Sequence, residues 1–113
     1  MAWLVHDGVV LASVDRAESV RERTQGLLGR DSYDGALLLA KTRSVHTFGM
    51  RFPIDVAFCS RDLTVLKIVT LPPRRVTRPE WKAYYAIETE AGRFRHWKVE
   101  VGDELTLRGM DDE

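Results

Sequence analysis

Pro53-Ile-Asp-Val-Ala-Phe-Cys-Ser-Arg-Asp-Leu-Thr-Val-Leu-Lys-Ile-Val-Thr-Leu71 decides the fold class. Pro53 opens a strand, where its missing N–H costs little. Ile54, Val56 and Phe58 share one face, and Asp55, Ala57 and Cys59 the other. Arg61-Asp62 forms a tight turn, and Leu63 to Leu71 is the strongest strand pattern in the chain. Apolar residues on both of its faces predict a central place in a sheet.

The same alternation extends in both directions. Trp3–Val5 and Val9–Ala12 flank Asp7-Gly8, a pair that tolerates positive φ and so favours a hairpin turn. After Asp34-Gly35, the run Ala36-Leu-Leu-Leu-Ala40 reads as a buried strand. The prolines of Pro72 to Pro79 exclude a sheet interior and predict an exposed loop. Ala83 to Ala91 is a further strand, Arg93 to Lys98 suits one helical turn, and Glu104 to Leu107 is the last strand. Ser19-Val-Arg-Glu22 is a capping box, in which side chains and amides pair reciprocally. It starts a helix that runs to about Leu28, with Gly29 as its stop. About seven short strands and one clear helix near residues 20–28 predict a mostly β (α+β) fold, a small antiparallel sandwich or barrel. Residues 1–108 are expected to form a single compact domain, and 109–113 an acidic, disordered tail.

Composition narrows the function classes. The chain has 113 residues, enough for one core. Lys plus Arg and Asp plus Glu are each 17, so no global field draws the protein to nucleic acid or anionic lipid. The one cysteine, Cys59, cannot form an internal disulfide, which points to a reducing compartment. Its strand context reads as a small buried hydrophobe. No segment approaches the roughly 20 apolar residues of a membrane helix, and the N-terminus does not read as a signal peptide. A soluble, cytoplasmic protein is expected. Glycine-rich phosphate motifs, nucleophile elbows and metal-ligand spacings do not occur, so neither metal nor cofactor is expected.

The candidate site is Val45-His-Thr-Phe-Gly-Met-Arg-Phe-Pro-Ile-Asp-Val-Ala-Phe58. Asp55 needs a partner if its face is covered, and Arg51 lies four residues earlier across Pro53. The pair reads either as a structural tie or as the mouth of a pocket. His46 could ligate a metal or shuttle a proton, or is simply a hydrogen-bonded ring, and no histidine pair has a ligand spacing. Phe48, Met50 and Phe52 suit a core, or the adaptable wall of a groove. Glu88, among apolar neighbours, calls for a cation, with Arg23 and Arg30 as candidates for a buried ion pair. Basic-aromatic clusters fall at 74–82, with Trp81, and at 93–98, with Trp97.

Several of these motifs together resemble domain of unknown function family 192, an uncharacterised prokaryotic family. The likeness runs from Arg23-Thr-Gln-Gly-Leu-Leu-Gly-Arg30 through Gly35, Val45 to Met50 and Phe52 to Phe58, to Glu88, Ala91-Gly92 and Gly102-Asp103. Its patterns centre on Arg23, Gly26, Arg30, Met50, Asp55, Glu88 and Gly92. Relatives often place tryptophan and lysine where this chain has Phe48 and Arg51. The resemblance implies a compact, mostly β domain and no established reaction, cofactor or partner. Many relatives look exported, through a signal or lipid-anchor segment that this chain is expected to lack.

Three functions follow as expectations. The first is a non-enzymatic domain binding a small ligand or peptide through 45–58, with His46, Phe48, Met50, Arg51, Phe52 and Asp55 as contacts. The second is a hydrolase-like enzyme using Asp55 and Glu88 with His46. The third is binding of nucleic acid or an anionic partner through 74–82 and 93–98, against which the zero net charge weighs.

Overall fold

The computed structural model describes residues 2–17 and 31–109. It contains β1 (Ala2–His6), β2 (Val9–Ala17), β3 (Ala36–Ala40), β4 (Ile54–Cys59), β5 (Val65–Leu71), β6 (Tyr85–Glu90), a one-turn helix α1 (Arg93–His96) and β7 (Thr106–Arg108). The mostly β expectation holds. The helix predicted near 20–28, with Arg23 and Arg30, lies outside the described residues, as do residues 110–113 of the tail.

The strands form one sheet in the order β5-β4-β6-β3-β2-β1-β7. All neighbours are antiparallel except β2 and β3, which run parallel. A parallel pair cannot be joined by a hairpin, and β2 and β3 are accordingly distant in sequence, ending at Ala17 and beginning at Ala36. The sheet also curls until its ends meet. Val65 N–H donates to Asp103 O, Gly102 N–H to Val65 O, and Leu105 N–H to Leu63 O, at 2.8, 2.8 and 3.0 Å. These bonds join the start of β5 to the chain just before β7 and close a partly open barrel.

The turns obey local chemistry. Asp7 and Gly8 both have positive φ, at 51° and 78°, as the β1–β2 hairpin requires. At the β4–β5 turn, Ser60 Oγ–H and Thr64 N–H donate to Asp62. Those hydrogen bonds hold the Asp62 carboxyl below the usual carboxylate range. Gly35 immediately precedes β3 where a Cβ would meet Ser13 O and Oγ at 3.0 Å, so a side chain there would press on β2.

Two cores lie on opposite faces of the sheet. Leu4, Val14, Leu38, Ala57, Val65, Ile87 and their neighbours fill the barrel, which Phe94 of α1 and Leu105 help to close. Leu37, Leu39, Val56, Phe58 and Ala86 form the outer core, covered by Val45, Met50 and Phe52 from the β3–β4 connection. Consequently every residue of β4 is buried. The strand buried along its whole length is thus β4 rather than the Leu63–Leu71 stretch. β5 stands at one end of the sheet order, and the residues between its buried ends are half-buried or exposed.

Candidate functional site at the barrel end

The alternation along β4 sends Asp55 into the barrel end. It lies opposite Thr70 of β5 and Thr89 of β6. Asp55 is 4% exposed. Thr70 Oγ–H donates to its Oδ1 at 2.7 Å, and Gly92 N–H donates to its Oδ2 at 2.9 Å. Gly92 adopts the left-handed conformation, φ 92°, immediately before α1. The carboxylate therefore pins the turn that carries α1 against the β4–β5 pair. Arg93 adds an exposed tie to Asp34 at 3.2 Å.

A cleft of about 630 Å³ opens over this point. Buried Asp55 lines it together with the apolar Ile68, Phe94 and Val99, and Thr70, Arg95, Lys98 and Glu100 line it as exposed residues. Each Asp55 oxygen accepts one hydrogen bond from the protein and has lone-pair capacity left for a ligand. Charge of both signs on an apolar base suits a small polar molecule.

The structure corrects the Arg51–Asp55 pairing. Arg51 precedes Pro53 between two residues of the outer core, Met50 and Phe52. Its guanidinium lies 3.6 Å from Asp31, with both side chains exposed. A residue held on the outer face cannot reach a carboxylate inside the barrel.

The proposed Asp55/Glu88 acid–base pair fails on the same geometry. Asp55 is in register with Thr89, whereas Glu88 is in register with Val56 and Leu37. Cross-strand partners share a face, so the two carboxylates point to opposite sides of the sheet. Glu88 is 1% exposed, and its candidate partners Arg23 and Arg30 lie outside the described residues.

The predicted groove is likewise divided. Met50 and Phe52 are buried in the outer core, while Phe48 is 56% exposed. His46 is half-buried and bridges to Val76; its Nδ1 accepts from Phe48 N–H at 3.3 Å. The two basic-aromatic clusters also differ. Trp97 packs edge-on against Phe94 in the barrel core, leaving Trp81 exposed. Cys59 is fully buried in the barrel, and burial, followed by the charge of Asp62, pushes its thiol up to about 12.

Reading the sequence places Arg95 and Lys98 in the 93–98 basic-aromatic cluster rather than at a cleft with Asp55, and it misses Thr70 there and also Thr47. Thr47 is fully buried. Its hydroxyl donates to Pro72 O at 2.6 Å and accepts from Arg75 N–H at 2.9 Å, tying two loops together. Threonine between alternating residues carries little signal for such a task.

Residues 2–107 match the family described as "Uncharacterized ACR", domain of unknown function 192. The chain belongs to domain of unknown function family 192. A family protein of Pyrococcus abyssi, named UPF0127, is 40% identical over 62 residues, or 55% of this chain and 53% of its own. A UPF0127 protein of Thermococcus sibiricus is 32% identical over 95 residues, or 79% of this chain and 62% of its own. The chain thus spans little more than half the length of these curated relatives. Among solved structures, a Sinorhizobium meliloti protein named "putative transcription regulator" superposes with a TM-score of 0.76 at 25% identity, covering 93% of this chain and 90% of its own. A Novosphingobium aromaticivorans protein of unknown function shares the fold alone, with a TM-score of 0.74 at 13% identity, covering 93% of this chain and 82% of that one. Among the positions on which the family resemblance centres, Asp55 and Gly92 are hydrogen-bond partners here. No described helix is long and apolar enough to cross a membrane.

Proposed function

We propose that this chain is a non-enzymatic binding domain for a small polar ligand, and that its site is the barrel-end cleft. One observation carries the reading: a cleft of about 630 Å³ in which a buried, already positioned carboxylate is faced by cationic side chains at the edge. Ligand pockets for small molecules run from about 300 to 1,000 Å³. The ligand would set a donor toward Asp55 and an anionic group toward Arg95 and Lys98. Relative to the stretch 45–58, the reading keeps Asp55 and replaces the other contacts by residues from β5 and the α1 region. A cytoplasmic setting agrees with the single, deeply buried thiol of Cys59.

The test is amide chemical-shift mapping with a library of small carboxylates, phosphates and amino acids. Shifts are expected to cluster at Thr70, Gly92, Arg95 and Lys98. They should vanish in an Arg95→Glu/Lys98→Glu variant, whose changes are on exposed positions and spare the fold. Shifts confined to 43–48, or none anywhere, would defeat the assignment.

A further inference from the structure

The loops 43–48 and 74–80 form a second, independent feature on the outer side. Despite Pro72, Pro73 and Pro79, they are held as a two-stranded ribbon. Thr47 N–H donates to Arg75 O at 2.8 Å, Thr77 N–H to Val45 O at 2.9 Å, and Glu80 N–H to Arg43 O at 2.8 Å. Val45 and Thr47 point inward and are buried. His46 pairs with Val76, and the Phe48 ring lies 5.6 Å from the His46 ring. Phe48, Val76 and Trp81 are exposed by 56, 62 and 70%, so three large apolar side chains face solvent along these two segments.

Around them stand Lys41, Arg43, Arg74, Arg75, Arg78 and Lys82, against Glu80 as the sole acid of segments 41–51 and 72–84. All these cations are exposed, and none has an ion-pair partner among the described residues. A chain of zero net charge therefore concentrates unneutralised positive charge at one place. The surface continues into two clefts of about 240 and 280 Å³ that share Lys41 and Arg43. At the far side of the second, the Arg61 guanidinium stacks 4.4 Å above the Tyr84 ring.

We propose that this ribbon and the clefts at its base bind single-stranded nucleic acid. Arginine predominates among the cations, and its planar fork grips phosphate and stacks on bases better than lysine. Phe48 and Trp81 offer flat, uncovered rings to bases that a single strand leaves free, as base–aromatic stacking requires. A paired duplex keeps its bases stacked and leaves those rings without a partner. The positive charge neutralises the backbone and makes the binding salt-sensitive. This site shares no residue with the barrel-end cleft.

Fluorescence anisotropy with a labelled oligo(dT) of about 12 nucleotides tests the assignment. Binding is expected to weaken linearly in log–log form with salt, by about 0.7 per phosphate contact. Arg75→Glu/Arg78→Glu should weaken binding by at least about ten-fold and flatten the salt slope. Trp81→Ala should weaken it about ten-fold with the slope unchanged, because stacking releases no counterions. Both variants alter exposed side chains, and an unchanged melting temperature confirms that the fold is intact. Absence of salt-dependent binding, equal binding of duplex DNA, equal binding by the variants, or binding to phosphatidylserine vesicles but not to oligo(dT) would each overturn it.

Discussion

The barrel-end cleft and the outer ribbon are built from similar residues and differ in how their charge is balanced. In the cleft, Arg95 and Lys98 share their space with Asp55 and Glu100. Along the ribbon, the cations have almost no carboxylate for company. Mixed charge in a concavity suits a small, oriented ligand; unneutralised charge along an exposed edge suits a polyanion. Each region also contains a buried side chain whose hydrogen bonds tie two segments together. In the cleft it is the carboxyl of Asp55, and in the ribbon the neutral hydroxyl of Thr47.

That contrast fixes the order of expected effects. Hydrogen bonds to charged groups contribute about 1.5–3 kcal/mol, and neutral ones about 0.5–1.5 kcal/mol. Asp55→Ala removes both ties to Thr70 and Gly92, and a loss of about 3 kcal/mol is expected in urea unfolding. It should also release α1, seen as faster hydrogen exchange at Gly92 and His96, while the Thr47 region keeps its protection. A loss below about 0.5 kcal/mol would show that the turn before α1 stands without the carboxylate.

Thr47→Val keeps the shape and deletes the hydroxyl, leaving Arg75 N–H and Pro72 O without it. The expected loss is about 2 kcal/mol, since buried groups left unpaired carry their desolvation penalty. Exchange should accelerate at Arg75 and Thr77 and stay unchanged at Gly92. Equal acceleration in both regions would mean that the two are one cooperative unit.

Cys59 supplies a third probe, of the barrel interior alone. Its thiol rises from the ordinary 9.0 to about 12 in the folded protein. The unfolded chain therefore loses this proton first. The linked stability is complete below pH ~9 and declines as pH rises toward ~12, by up to about 1.4 kcal/mol per pH unit. Denaturation midpoints measured from pH 8 to 10.5 should fall more steeply for the native sequence than for Cys59→Ala. Parallel slopes would assign the alkaline loss to other groups.

These sites differ in how legible they are in the chain. The strands were readable because period-two alternation and Asp-Gly turns are local signals, as at Asp7-Gly8 and in β4. The parallel pairing of β2 with β3 and the closure of β5 onto 102–105 were not, because they depend on contacts far apart in sequence. The need of Asp55 for a partner was readable from burial. Its partners were not, for one is a backbone amide 37 residues away. Glu88 shows the converse: its strand was clear, but only the register reveals that it faces away from Asp55.

Arg51 gives the smallest and most discriminating expectation. Nearness in sequence made it the natural partner of Asp55, yet between Arg51 and Asp55 the chain packs Phe52 and Ile54 into the outer core. Asp55 then turns inward by alternation, and the sheet itself separates the two side chains. What remains for Arg51 is an exposed contact with Asp31 at 3.6 Å. Exposed ion pairs contribute about 0–1 kcal/mol and are screened by salt. Arg51→Ala should therefore change stability by less than about 0.5 kcal/mol, and the difference should shrink further in 1 M salt. Combined with Asp55→Ala, it should add its small effect independently, because residues without shared partners do not couple. A coupling above about 1 kcal/mol in that double-mutant cycle would restore the pairing across Pro53 and undo the separation of inner and outer faces on which both proposed sites rest.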